Sequence, residues 1–144
     1  MTPCSRIYEA FLAKILEDEW EHWTIEEAEQ DWYQIMEAAL IWFKFPRVSL
    51  AHTTESFNED LSSQEIQIIA NYMKCEWLNR CIMSWENIKP LYEEKDFSPA
   101  NLLDKLNKTL ENERYKAKVA EGFYYRSIDG KPFDYTVLAS KTNE

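Results

Sequence analysis

Residues 62–83 carry the pattern of a long amphipathic helix, and this pattern leaves few alternatives to a helical bundle. Apolar residues recur every three or four positions, which places them on one face of an α-helix. Ser62 and Glu65 have the spacing of a capping box, in which each side chain accepts a hydrogen bond from the other residue's backbone N–H. The pattern predicts a buried central helix with the stripe Ile66, Ile69, Ala70, Met73 and Trp77.

Three further segments have helical signals. Residues 5–21 show an apolar stripe, and a second helix is predicted from the N-cap Thr24, with Glu27 three positions on, to about Phe43. Ser98 and Pro99 form a helix start, since proline suits the first helical position. The chain has only two glycines, which argues against a turn-rich sandwich or barrel.

The predicted fold is mainly α: a small bundle of about four helices with an extended segment at 44–60 and a C-terminal hairpin or tail. Phe45-Pro46 opens the extended segment, because the residue before proline is pushed out of the helical region. Asp129-Gly130 between aromatic flanks is a hairpin-turn signal. We expect residues 1–122 to form the bundle domain, with 44–60 projecting from it, and residues 123–144 to dock on a neighbour. The predicted core is Phe11, Ile35, Ala39, Ile66, Ile69, Ala70, Met73, Trp77, Leu102 and Leu106.

The sequence contains few of the residue patterns that catalytic sites require. Phosphate-binding loops need clustered glycines, and the only two, Gly122 and Gly130, are isolated. A nucleophile–base triad needs a suitably placed base, and the chain has two histidines, His22 and His52. Three cysteines fall in no metal-binding spacing and are expected as thiols. We expect no enzyme activity, no catalytic or metal-binding residues and no cofactor.

The net charge of −10 is concentrated near the N-terminus. Residues 1–43 hold ten acidic residues against Arg6 and Lys14, a net charge of −8. Such a surface repels phosphate, so sequence-independent DNA binding is not expected. No stretch is apolar enough to cross a membrane, and no signal peptide is apparent, so we expect the protein to be made and used in the cytosol.

Several stretches resemble the neck proteins, or head–tail connectors, of tailed bacteriophages. They are residues 43–48 (FKFPRV), 61–70 (LSSQEIQIIA), 73–78 (MKCEWL) and the tail from 124 to 138. The resemblance implies a virion protein that forms a homo-oligomeric ring, twelve-fold, between the portal and a tail-proximal neck or tail protein. DNA would pass through the ring only as cargo. The protein would reside in the virion and, during assembly, in the host cytoplasm.

The extended segment and the tail carry apolar and aromatic residues that a small bundle has little surface to cover. We therefore expect both segments to be mobile in the lone subunit and to become ordered against a partner. In this view, deleting residues 123–144 leaves the melting of the monomer intact and abolishes assembly. The predicted partner-binding residues are Phe45, Arg47, Val48, Leu50, Phe57, Tyr124, Tyr125, Arg126, Phe133 and Tyr135.

Two other classes of function compete with this interpretation. An acidic protein can imitate DNA and occupy a nucleic-acid-binding partner, but the acidic residues here become sparser after Asp31. An enzyme or metalloprotein with an unfamiliar site is the other alternative, and the scarcity of histidine and glycine counts against it.

Overall fold

The computed structural model describes residues 1–15, 19–88, 99–128 and 131–132. The described residues confirm a mainly helical fold, with four helices packed together and two small two-stranded sheets. In chain order the elements are β1 (Thr2–Pro3), α1 (Cys4–Leu12), α2 (Ile25–Leu40), β2 (Ser56–Phe57), α3 (Ser63–Ile88), α4 (Pro99–Tyr125), β3 (Ser127–Ile128) and β4 (Lys131–Pro132).

Helix α3 is the centre of the bundle, because α1, α2 and α4 all pack against it. Both halves of the predicted capping box are present. Glu65 Oε1 accepts a hydrogen bond from the Ser62 N–H at 2.8 Å, and Ser62 Oγ accepts one from the Glu65 N–H at 3.2 Å. The predicted stripe from Ile66 to Trp77 is buried throughout. The helix continues beyond the predicted end at Met83 to Ile88.

Replacing Ile69 with alanine should lower the free energy of unfolding by about 2–5 kcal/mol, because the fully buried side chain leaves a cavity among packed neighbours. Chemical denaturation followed by circular dichroism measures the loss. Gln67→Ala, on the exposed side of the same helix, is the control and should shift stability by less than about 0.5 kcal/mol. Equal melting of the two variants would contradict the assignment of the stripe to the core.

Helix α2 begins as predicted, with Thr24 Oγ1 accepting a hydrogen bond from the Glu27 N–H at 3.2 Å. It ends at Leu40, three residues before the predicted end at Phe43. A tighter turn follows the helix, because the Phe43 N–H donates to the carbonyl of Leu40, three residues back. This turn places Phe43 in the core, where its ring lies 5.4 Å from that of Tyr124.

Helix α1 ends at Leu12, so the predicted helix over residues 5–21 was wrong in its second half. Trp20 returns to the core, with its ring 6.1 Å from that of Phe11 and 5.9 Å from that of Trp32. A continuous helix would carry residue 20 about 13 Å along the axis from residue 11. The packing of these rings therefore requires the chain to turn back.

Segment 44–60 is extended and irregular, as predicted, but it lies along the bundle. Its strand β2 pairs antiparallel with β1, in the register Thr2↔Phe57 and Pro3↔Ser56. The Cys4 N–H donates to the carbonyl of Glu55 at 2.9 Å, and the ring of Phe57 is fully buried. The pairing with residues 2–3 had no signal in the sequence.

Helix α4 starts at Pro99, the predicted first position, while the predicted N-cap Ser98 lies outside the described residues. Leu103 and Leu110 are buried, and the predicted core residues Leu102 and Leu106 are half-buried. The helix runs through the predicted domain boundary at 122 and ends at Tyr125. The reason is that its polar second half also packs on α3, through the buried residues Ala117, Glu121 and Tyr124.

Strands β3 and β4 form the start of a C-terminal hairpin, with Ser127 opposite Pro132 and Ile128 opposite Lys131. This register leaves a two-residue connection at 129–130, which is where Asp129-Gly130 predicts a turn. These two residues and residues 133–144 lie outside the described residues, so the predicted conformation of the far tail stays a prediction.

Candidate interaction surface

The two segments predicted to bind partners meet each other at one end of the bundle. The ring of Phe45, just after α2, packs edge-on against that of Tyr125, at the end of α4, with 6.0 Å between centroids. The Phe45 N–H donates a hydrogen bond to the Tyr125 hydroxyl at 3.2 Å. Phe45 is 72% exposed and Tyr125 is also exposed, so the pair presents aromatic area to solvent.

A buried carboxylate, Glu121, lies beneath this pair. Its Oε1 accepts hydrogen bonds from the Tyr125 hydroxyl and, at 3.3 Å, from the Lys44 N–H, while its Oε2 accepts one from the Tyr72 hydroxyl. Three elements are thereby joined at one side chain: α3, α4 and the start of the extended segment. Buried carboxylates are costly unless hydrogen-bonded, and these donors satisfy both oxygens.

Trp42 extends the exposed aromatic area beside this site. Its ring stacks on that of Tyr72, 6.3 Å away and 17° from parallel, and its Nε1–H donates to Glu76 Oε1 at 2.7 Å. The guanidinium of Arg114 lies 5.8 Å from its ring centroid. We call the exposed rings of Trp42, Phe45 and Tyr125 the aromatic surface. Beneath it, Trp42 stacks on the buried Tyr72, and the hydroxyls of Tyr72 and Tyr125 both donate to Glu121.

Arg47 fixes the extended segment to the end of α4. Its guanidinium donates to the carbonyl oxygens of Tyr124 and Ser127 and lies 4.3 Å from the centroid of the Tyr124 ring. Its backbone N–H donates to the Tyr124 hydroxyl at 2.7 Å, and that hydroxyl donates to Glu65 Oε2 at 2.7 Å. The first turn of α3 is thus linked to α4 and to the segment that carries Phe45.

The hydroxyl groups of Tyr72 and Tyr125 have raised pKa values. Burial, followed by the hydrogen bond to Glu121, raises the pKa of Tyr125 to about 12 and also raises the pKa of Tyr72. Both hydroxyls are therefore donors at neutral pH. Among the described residues no group of three or more His, Cys, Asp or Glu is placed to hold a metal ion.

Alkaline pH should weaken the fold through these tyrosines. A pKa that is higher in the folded than in the unfolded chain gives a stabilising contribution that is complete below the unfolded pKa of about 10. It is lost as the pH rises through about 12 for Tyr125. We expect stability to fall over this interval, measured by denaturation at stepped pH and by tyrosinate absorbance. Tyr72→Phe should reduce the slope, and an unchanged slope would contradict the assignment.

The other predicted partner-binding residues lie in different surroundings. Val48 and Leu50 are half-buried against the core, and Phe57 and Tyr124 are buried within it, so these rings stabilise the subunit. Arg126 is exposed, with its guanidinium 5.2 Å from the ring centroid of Phe123. Phe133 and Tyr135 lie outside the described residues.

Sequence reasoning missed two residues of the site. Trp42 falls within the helix predicted to run to about Phe43, whereas α2 ends at Leu40 and leaves the ring exposed. Glu121 was not among the predicted site residues. The available signal was the spacing of Glu121 and Tyr125, one helical turn apart, which allows the hydrogen bond between them.

A second polar cluster ties the loop before α2 to α3. Arg80 donates two hydrogen bonds to the Asp31 carboxylate, at 2.7 and 3.1 Å, and one to Glu19 at 3.4 Å. The Trp77 indole N–H donates to Glu19 at 3.0 Å. Burial raises the pKa of Asp31, but the hydrogen bonds from Arg80 and Trp20 outweigh it and lower the pKa. These contacts are those of a structural ion pair.

No family model, curated protein or solved structure matches this chain. No helix among the described residues is long and apolar enough to span a lipid bilayer.

Proposed function

We propose that this protein is a structural protein of the neck of a tailed bacteriophage. In this role it forms a homo-oligomeric ring, with twelve copies as the resemblance implies, which joins the portal to the tail and lets DNA pass. The observation that carries the proposal is the aromatic surface, where residues of the neck-like stretches at 43–48 and 124–138 lie side by side. The aromatic surface is the portal-binding site in this proposal.

The aromatic surface has the physical properties of a binding anchor. Aromatic side chains dominate the energy of protein interfaces when they are held in a fixed position. Here Glu121 and Arg47 fix the backbone around Phe45, so binding requires little further ordering of the segment. Because the Tyr125 hydroxyl and the Trp42 N–H already have partners, a partner protein has mainly apolar area to cover.

The distribution of charge also supports a channel protein. The exposed acidic residues of the N-terminal third include Glu21, Glu26, Glu27 and Glu29, and the sequence has no arginine or lysine between Glu19 and Gln30. A negative surface repels phosphate at close range, and the repulsion is screened beyond about 8–10 Å at physiological salt. DNA can pass such a surface without adhering to it.

The test is binding of the full chain to the portal protein encoded in the same genome, by surface plasmon resonance and negative-stain microscopy. We expect ring-shaped density on the portal with the wild type. Phe45→Ser should weaken binding by at least about tenfold, because it removes an exposed anchor that contributes little to folding. Met83→Ser, which changes another exposed apolar side chain (56% against 72% for Phe45) on α3, should leave affinity unchanged.

Two outcomes would contradict the proposal. One is the absence of binding between the wild-type chain and the portal at any concentration tested. The other is equal binding of the Phe45→Ser and Met83→Ser variants, which would separate the portal contact from the aromatic surface.

A further inference from the structure

The outer face of α4 carries an apolar stripe on the side opposite to α3. Tyr115, Val119 and Phe123 recur every fourth residue, so they lie on one side of the helix. All three are exposed, Tyr115 at 70% and Phe123 at 60%. They differ from Leu110, Ala117 and Tyr124, which are buried on the other side. We call these three exposed residues the α4 stripe.

The charges around the α4 stripe are mainly basic, with the exposed acid Glu111 one helical turn before Tyr115. From Arg114 to Arg126 every exposed charged side chain is basic, namely Lys116, Lys118 and Arg126, and the one acidic residue, Glu121, is buried. Lys116 approaches Glu113 at 3.8 Å, but its side chain stays 71% exposed. The α4 stripe is therefore an apolar surface with a mainly positive rim.

A surface of the opposite kind lies at the start of α2. Trp23 and Ile25 are exposed, Ile25 at 76%. The charged residues next to them in the sequence are acidic: Glu21, Glu26 and Glu27 are exposed, and the next lysine or arginine in the sequence is Lys44. In the structure Arg80 of α3 pairs with two further acidic residues, Glu19 and Asp31. We call the surface around Trp23 and Ile25 the α2 entry surface. Its apolar pair and negative rim complement the α4 stripe in both hydrophobicity and charge.

The two surfaces lie at different levels of the subunit. The C-terminal part of α4 is level with the start of α3, where Tyr124 bonds to Glu65. The first half of α2 is level with Arg80, which bonds to Asp31. Glu65 and Arg80 are fifteen residues apart on α3, which corresponds to about 22 Å along its axis. Neither surface can therefore cover the other within one subunit.

We propose that the α4 stripe of one copy of this chain binds the α2 entry surface of the next copy. Contacts between two different surfaces are heterologous, and they propagate head to tail into a ring when the rotation closes. Opposite charges at the rim fix the pairing and suppress contacts between two α4 stripes. This contact supplies the subunit interface of the ring, so its biological role rests on the proposed function.

Substitutions that reverse the charge of one surface or the other test this contact. Self-association of the whole chain is measured by sedimentation velocity. The variants Lys116→Glu/Lys118→Glu and Glu26→Lys/Glu27→Lys should each lose self-association, by on the order of a hundredfold in affinity, because like charges then face each other. An equimolar mixture of the two variants should regain it, since every contact in an alternating assembly again pairs opposite charges. Lys105→Glu/Lys108→Glu, three helical turns away on α4, is the matched control and should associate like the wild type.

Three results would overturn the inference. The first is a wild-type chain that stays monomeric over the whole range of concentration. The second is self-association that the Glu26→Lys/Glu27→Lys variant retains, which would indicate a symmetric contact elsewhere. The third is a mixture that stays as dissociated as its components.

The portal experiment separates this inference from the proposed function. Self-association without portal binding would leave the contact standing and remove the neck assignment. Portal binding by chains that do not associate with one another would support the neck assignment and remove the proposed contact.

Discussion

Ending the chain at Gly122 is expected to destabilise the subunit enough to unfold much of it at moderate temperature. The deletion removes Tyr124, whose ring is buried against Phe43 and whose hydroxyl bonds to the buried carboxylate of Glu65. Loss of a buried aromatic side chain costs about 3–5 kcal/mol. A buried acceptor left without its donor adds about 1–3 kcal/mol. Together these approach the total stability of a small domain, about 5–15 kcal/mol.

This expectation reverses the one drawn from the sequence, in which residues 123–144 formed a docking tail that the monomer could lose. The structure ends α4 at Tyr125 and joins Ser127 to Arg47, so the first residues of that tail belong to the subunit. The predicted partner-binding residues Phe133 and Tyr135 lie outside the described residues, so their role stays a prediction.

Chemical denaturation of two variants measures the effect. Deletion of 123–144 should lose most of the helical signal. Tyr124→Phe keeps the ring and removes only the hydroxyl, so it should cost about 1–3 kcal/mol. Wild-type melting of the 123–144 deletion would show that Tyr124 contributes nothing to the core.

The helix starts were the most predictable part of the fold, because their signals are local. Thr24 with Glu27 and Ser62 with Glu65 satisfy backbone N–H groups within one turn, and the structure has both caps. Helix ends depended on distant contacts instead. Trp20 turns back to reach Phe11, and Phe43 turns in to reach Tyr124, and neither partner is visible in the local pattern.

The candidate site was predictable in part for the same reason. Exposed aromatic residues outside the helical stripes pointed to Phe45 and Tyr125, and the structure places these two in contact. The packing of Phe45 on Tyr125 and the burial of Phe57 and Tyr124 depend on how segment 44–60 lies along the bundle, which the local sequence does not show. A carboxylate such as Glu121 has the same local sequence signal whether it is solvated or buried, so only the packing of α4 on α3 reveals its role.

Replacing Glu121 with alanine should lower the free energy of unfolding by about 2–5 kcal/mol, since the Tyr72 hydroxyl loses its acceptor within the core and a cavity forms. The substitution also releases the Lys44 N–H and the Tyr125 hydroxyl, which hold the aromatic surface in place. Portal binding in the proposed function should therefore weaken more than the loss of stability alone explains. Denaturation and binding are measured on the same preparation at a temperature where the variant is folded.

Two controls separate these effects. Glu121→Gln keeps the size and one acceptor oxygen, so it should recover part of the lost stability and more of the binding. Glu111→Ala, an exposed change on the same helix, should alter stability by less than about 0.5 kcal/mol. If Glu121→Ala and Glu111→Ala have equal stability, the network does not support the fold. If Glu121→Ala is unstable yet binds the portal with wild-type affinity, the aromatic surface does not depend on this carboxylate for its position.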